Sequence, residues 1–247
     1  MRGGLPRHDL LASHYWVNNP SMKSDPRTHV PLQGYVERAP HEQLGRAEAL
    51  HRHLSTRRSV RDFAPTPVDR AVIEACVAAA GTAPSGANHQ PWFFACVGSP
   101  EKKREIRLAA EAEERAFYSG KAGEEWLDAL APIGTDAQKP YMETAPWLIC
   151  IFAQRRGGAE VGDNRKNYYI HESVGIATGL LIAACHEAGL ATLVHTPNPM
   201  SFLNRLCDRP DTEKPYLILA VGHPAEGAKV PKHALKKKAL GDICSFS

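Results

Sequence analysis

Arg57-Arg58-Ser59-Val60-Arg61, read together with Ala83-Pro84-Ser85-Gly86-Ala87 and Pro91-Trp92, is the pair of stretches on which the reading of this chain turns. The first sets three guanidinium groups and a hydroxyl within five residues. Arginine's planar fork matches phosphate oxygens, and its charge is not titrated away. The second is a Pro/Ser/Gly turn, which frees backbone N–H groups and lets the main chain approach a flat ligand. Together they point to a phosphorylated, planar cofactor. Taken alone, the arginine run has a plainer reading as a solvated charged face. The spacing to the turn favours the phosphate.

Outward from these runs, helices and strands mix without regular βαβ alternation, the pattern of an α+β protein. Residues 1–40 are polar, with scattered Pro, Asn and Ser, and read as an N-terminal arm or disordered leader. Residues 41–247 read as one domain, opening with a helix over His41–Thr56. Thr66-Pro67 offers a cap and first-turn proline for the next helix, whose apolar stripe is Val68, Val72, Ile73, Cys76 and Val77 and which Gly81 closes. Trp92–Val97 reads as a buried strand and Pro100–Tyr118 as a charged helix with a narrow apolar side. The stretch Gly120–Pro140 has no clear period, so a lid or mobile loop is placed around 115–140. Trp147–Ala153 is a second strand, and Arg155–Lys166 a polar loop. Asn167–His186 is a helix apolar on most sides, fit for a core or an interface, with Gly175 and Gly179 open to a neighbouring helix. A strand over Ala191–His195, a short helix over Phe202–Leu206 and a strand over Tyr216–Val221 follow, then a basic, extended tail.

A chain of 247 residues makes one large domain or two small ones, and 43% hydrophobic content supports a packed core. A net charge of +3 selects no partner class, and a nucleic-acid binder would concentrate far more basic residues on one face. The densest basic tract, Lys229, Lys232 and Lys236-Lys237-Lys238, reads by default as a solvated tail. Six scattered cysteines form no CxxC motif, so a zinc site has no support and a reducing compartment is favoured. Met1–Pro20 contains no signal-peptide core, and the most apolar stretch, Gly175–Val194, is interrupted by His186 and Glu187. A soluble, cytoplasmic protein with no nucleic-acid or membrane partner is expected.

The arrangement of the two opening runs resembles the nitroreductase family of flavin-mononucleotide (FMN) enzymes, from about Leu54 to the C-terminus. Tyr168 to Leu180, Ala188-Gly189-Leu190-Ala191-Thr192, Thr196-Pro197 and Val221-Gly222-His223-Pro224 follow in that family's order. Within the family, Glu114, Tyr118 and Lys139 are similar to the iodotyrosine deiodinase branch. Each alone reads as a surface residue. Jointly they complement an amino-acid zwitterion, with an acceptor for the ammonium, and a hydroxyl and a cation for the carboxylate. The resemblance implies a central, mostly antiparallel sheet flanked by helices, and an intertwined homodimer with FMN at the interface. It implies that Arg57, Arg58, Ser59 and Arg61 hold phosphate, ribityl chain and pyrimidine edge. Pro84, Ser85 and Gly86 would line the ring system, and the backbone of Val194 and His195 would complete the wall. Thr196 would contact flavin N5 as the catalytic residue, although Thr-Pro alone reads as an ordinary turn. Lys237 stands where the family usually has an arginine for the phosphate, which keeps the charge but loses the fork. The backbone N–H of Ala87 would sit beside the substrate phenolate.

The implied activity is reductive dehalogenation of iodo-, bromo- or chlorotyrosine to tyrosine and halide. No G-x-G-x-x-G marks a dinucleotide site, so the electron donor stays open between NADPH acting directly and a separate reductase. Two alternatives stand beside it: a general NAD(P)H-dependent nitroreductase or quinone reductase, and a non-catalytic flavin-binding protein. A third, flavin destruction to make a cobalamin ligand, is disfavoured by the zwitterion trio.

Overall fold

A computed structural model describes residues 29–121, 123, 125, 128, 130–160 and 162–247. Two compact units divide the chain, one ending at Ala49 and the other running from Leu50 to Ser247. In the first, the described chain has no regular secondary structure until helix α1, Pro40–Ser55, begins. The residues before 29, most of the expected arm, lie outside the described residues.

The second unit is built on four strands: β1 (Trp92–Val97), β2 (Trp147–Gln154), β3 (Ala191–His195) and β4 (Glu213–Gly222). Their order is β1-β2-β4-β3, with every neighbouring pair antiparallel. Strand β2 shows why the fold needs helices on both faces. Leu148, Cys150 and Phe152 point into one core, with Ile106 and Ala110 of α3 (Pro100–Ala116), Met142 of α4 (Tyr141–Thr144) and Leu203 of α6 (Phe202–Leu206). Ile149, Ile151 and Ala153 point into the other, with Ile73 and Cys76 of α2 (Arg70–Gly81) and Val174, Leu181 and Cys185 of α5 (Ile170–Glu187). Strict alternation of side chains makes a continuous apolar run a two-faced core strand.

Where the chain departs from the sequence reading, packing explains it. Strand β1 is only partly buried, with Phe93 exposed, because it is a sheet edge with β2 as its one strand neighbour. Helix α2 starts at Arg70, not at Thr66-Pro67. Asp69 caps it by accepting the Ala71 N–H at 2.8 Å, while Val68 is drawn into the core and its carbonyl accepts the Trp147 indole N–H at 2.9 Å. Helix α3 ends at Ala116, and Phe117–Lys121 continue as a wider π-type turn, so Tyr118 lies beyond the α-helix. Helix α5 begins at Ile170 rather than Asn167. Among the described residues no helix fills the space at its glycines: a Cβ at Gly175 would meet the Tyr216 hydroxyl, and one at Gly179 would meet open space. The tail is extended but broken by short 3₁₀ turns at Lys232–Leu235 and Leu240–Asp242. The lid expected around 115–140 lies partly outside the described residues. Among the described residues, no helix is long and apolar enough to cross a membrane.

Gly222 closes β4 where a Cβ would collide with the Pro146 ring and crowd Phe63. Pro215 interrupts β4 at a bulge opposite Ile151 and Phe152, in a part of the strand that β3 does not reach. Strand β3 ends at His195, opposite Ile218 of β4. The chain then leaves the sheet at Thr196-Pro197, and a cavity opens there.

Candidate active site

The arginine run lies along the outer edge of β3. Ser59 bridges Thr192 in parallel, and the Val60 N–H donates to the Thr192 carbonyl at 3.2 Å. This pairing turns Arg57, Arg58, Ser59 and Arg61 into a small cavity of about 140 Å³. The tail closes it with Pro231, His233, Ala234 and Lys237, and Ile133 completes the lining. Among the described residues no carboxylate lines this cavity, and neither Arg57 nor Arg61 forms an ion pair. Cations gathered without an internal counter-ion suit an external anion. Arg58 is turned partly away, its Nη1 donating to the carbonyls of Ser55 and Arg57, each at 2.6 Å.

Arg61 also lines a second, larger cavity of about 330 Å³, so the two share a wall. Its walls come from the end of α3 and the π turn (Glu113, Glu114, Phe117, Tyr118), from Thr135, Lys139 and Tyr141, and from the end of β3 (Leu193, Val194, His195, Thr196) with Asn198. Glu114, Tyr118 and Lys139 therefore share one cavity with Thr196. The Lys139 side chain is only 3% exposed, and its ammonium lies 3.4 Å from Glu114 Oε2. It donates to Thr135 Oγ1 at 3.1 Å, makes a short contact with the Asp136 carbonyl, and stands over the Tyr118 ring. The Tyr118 hydroxyl reaches the Thr135 carbonyl at a long 3.5 Å. Burial, then the Glu114 carboxylate, raises the Tyr118 phenol above its ordinary pKa. Burial, with Glu114 next, pushes Tyr141 up further. Both phenols are thus held as hydrogen-bond donors.

His195 faces Glu114 Oε1 at 3.6 Å and stacks edge-on to Tyr141, and its Nε2 is buried without a hydrogen bond. Burial, then Lys139, lowers its pKa from 6.5 to about 3, so it is a neutral packing residue at neutral pH. Below about pH 6.5 the unfolded chain takes a proton that folded His195 refuses, so stability falls as the pH drops toward about 3. The slope from this group alone is at most about 1.4 kcal/mol per pH unit in that window. His195→Gln removes the titration and should flatten the acid limb in thermal melts between pH 7 and pH 4. An acid limb as steep as the wild type's would contradict the assignment.

The Pro84–Ala87 turn lines neither cavity. It precedes β1, at the sheet edge opposite β3 and the arginine run that pairs outside it. The turn is tightly built. Ala87, Asn88 and Gln90 all take positive φ, and Ser85 Oγ accepts the Gln90 N–H at 2.9 Å. A Cβ on Gly86 would come within 2.9 Å of the Tyr168 carbonyl, so glycine lets the turn lie against the start of α5. Asn167 Nδ2 donates to the Gln154 carbonyl, which leaves Oδ1 to accept from Nδ1 of buried His89 at 2.8 Å. The exposed ring of Tyr169 stands beside the turn.

The sequence reading missed Thr135, Glu111 and Arg107, and it gave Tyr141 no role. The carboxylate of Glu111 accepts the Lys139 backbone N–H at 2.7 Å, and Arg107 holds Glu111. Their spacing on α3 repeats that of the residues singled out, but a charged helix carries many such pairs.

Fold and site together define a class: an α+β protein whose sheet end carries an anion cradle beside a ligand cavity with its own carboxylate, phenol and ammonium. The chain belongs to the nitroreductase family, whose family model matches residues 54–223. An iodotyrosine deiodinase of Haliscomenobacter hydrossis is 46% identical over 218 residues, which span 88% of this chain and 97% of that protein. One of Daphnia pulex is 43% identical over 203 residues, 82% of this chain and 67% of its own. The crystal structure of oxidized iodotyrosine deiodinase bound to FMN and 3-iodo-L-tyrosine superposes with a TM-score of 0.67 at 28% identity, covering 80% of this chain and all of that one.

Proposed function

We propose that this protein is an FMN-dependent reductive dehalogenase of halotyrosines, an oxidoreductase that converts iodo-, bromo- or chlorotyrosine to tyrosine and halide. The observation that carries this is the meeting of Glu114, Tyr118 and Lys139 in one cavity, joined through Arg61 to a cationic cradle without a carboxylate. The named relatives support the same reading.

Arg57, Ser59, Arg61 and Lys237 fit the phosphate end of the cofactor, because the cradle offers guanidinium and ammonium donors and no competing anion. When bound and reduced, FMN supplies the two electrons that replace the carbon–halogen bond by carbon–hydrogen. The rest belongs to the chain. Glu114 takes the substrate's ammonium, and Lys139 and Tyr118 take its carboxylate, so the substrate replaces the Glu114–Lys139 pair by two crossed pairs and leaves no buried charge unmatched. Tyr118 and Lys139 lie near the two ends of the stretch read from the sequence as a lid, so holding the zwitterion between them and Glu114 fixes the ring and excludes water from the cavity. Thr196 presents a hydroxyl at the cavity wall with no hydrogen-bond partner among the described residues, free to donate to the cofactor edge. The Pro84–Ala87 turn, on the far sheet edge, serves the site of a second copy, which makes a homodimer the working form. The exposed Ile176 and Leu180 on α5, and Leu235, Leu240, Ile243 and Phe246 in the tail, supply apolar surface for such an interface.

The test is anaerobic. The flavin-loaded protein is reduced with dithionite and mixed with excess 3-iodotyrosine. Stoichiometric tyrosine and iodide are the expected products. A protein that stays reduced with iodotyrosine yet passes its electrons to a nitroaromatic is a general nitroreductase, and one that serves neither acceptor is a flavin-binding protein.

A further inference from the structure

We infer that Glu111 is a positioning residue that holds Lys139 in register for the substrate's carboxylate, as the fixed middle rung of a polar ladder along α3. The inference rests on the halotyrosine reading of the cavity.

Lys103, Arg107, Glu111, Glu114 and Tyr118 are spaced by four, four, three and four residues, which places the first four on one helix face and carries the stripe into the π turn. They meet the segment from Ala145 back to Thr135 in reverse order. Lys103 Nζ donates to the carbonyls of Ala145 at 2.6 Å and Glu143 at 2.9 Å. Arg107 Nε donates to Glu143 Oε1 at 2.5 Å, and its Nη1 to both Glu111 oxygens at 2.9 Å. Glu111 Oε1 accepts the Lys139 main-chain N–H at 2.7 Å. Glu114 then holds the Lys139 ammonium, and Tyr118 the Thr135 carbonyl.

The rungs are unequal, and the difference assigns the role. Lys103 and Glu111 are buried and grip main chain through short bonds. Glu114 and Tyr118 meet this segment through longer polar contacts, 3.4 Å and 3.5 Å, and grip no main chain at short range. The incoming zwitterion takes over these last two while the first three stay closed. Glu111 is suited to be the hinge, because Arg107 matches its charge. It can fix the Lys139 backbone without competing for the ammonium that the substrate's carboxylate needs.

The experiment compares wild type, Glu111→Ala and Glu111→Gln, each loaded with FMN. Binding of 3-iodotyrosine and of 2-iodophenol, which lacks the amino-acid end, is followed by flavin fluorescence, and hydrogen exchange of the peptide containing Lys139 is measured without ligand. Glu111→Ala should weaken 3-iodotyrosine about tenfold, leave 2-iodophenol within about twofold, and speed exchange at Lys139. Glu111→Gln keeps an oxygen for the Lys139 N–H and should recover most of the binding. Equal weakening of both ligands, or of neither, overturns the positioning role. Should Glu111→Ala not fold, Glu111→Asp, which keeps the charge but shortens the reach, takes its place with the same expected pattern. If wild type itself binds the two ligands equally, the halotyrosine reading fails instead. Exchange then decides: faster exchange at Lys139 upholds the hinge, and unchanged exchange removes it.

Discussion

Glu114→Gln is expected to lower kcat/KM for 3-iodotyrosine about a hundredfold, while reduction of a nitroaromatic changes only a few-fold. The size follows from what the carboxylate does. In the free protein Glu114 is the carboxylate facing the Lys139 ammonium, with side-chain exposures of 14% and 3%. Breaking a buried pair by removing one charge costs about 3–5 kcal/mol. With substrate bound, the substituted amide offers the ammonium only a neutral acceptor, and a hydrogen bond to a charged group is worth about 1.5–3 kcal/mol. In the free protein the loss is small, because Lys139 keeps the Thr135 hydroxyl and the Asp136 carbonyl, so the pair-breaking cost falls on the complex, where the neutral acceptor returns part of it and about 2–3 kcal/mol remains. A tenfold rate change corresponds to about 1.4 kcal/mol, which gives the hundredfold figure. A nitroaromatic has no ammonium to lose. Steady-state rates on both acceptors with one preparation decide it. Equal loss on both would mean that Glu114 supports the cavity rather than reading the substrate.

How much of this could be seen in the sequence depends on the range of the interactions involved. The strands were legible because β2 is an unbroken apolar run and Ala191–His195 is a short apolar segment bounded by Gly189 and Pro197. Local chemistry settles such elements. The start of α2 was not legible, because Thr66-Pro67 and Asp69 both offer caps, and the choice was made by Trp147, whose indole needs the Val68 carbonyl. The exposure of β1 was also hidden, since position in a sheet is a tertiary fact. In the site, the zwitterion trio could be named by resemblance, but the buried Glu111 that holds Lys139 could not. It acts on a main-chain amide 28 residues away, and no side-chain pattern records a backbone partner. Nor does the spacing between Arg57–Arg61 and Pro84–Ala87 reveal that they stand on opposite edges of one sheet.

That separation leads to the second large effect. If one site takes its cradle from one chain and its turn from the other, damage to either run empties both sites of a homodimer, yet the two lesions complement each other. Arg57→Ala with Arg61→Ala removes two cationic donors from the phosphate cradle and should weaken FMN binding by about two orders of magnitude. Gly86→Val leaves the cradle untouched but drives a side chain toward the Tyr168 carbonyl and the Tyr169 ring, spoiling the turn. Each variant alone should purify nearly colourless. In a heterodimer isolated through two different tags, one site combines both lesions and the other has neither. That dimer should bind FMN at half the wild-type stoichiometry and dehalogenate 3-iodotyrosine at about half the wild-type rate, with unchanged KM. The arithmetic holds only if the two runs reach the site from different chains. If both runs served the same site from the same chain, each subunit of the heterodimer would carry one lesion. Neither site would then be whole, and the mixed dimer would stay as colourless as its parents. Flavin absorbance of the purified heterodimer, read against its subunit concentration, separates the two arrangements.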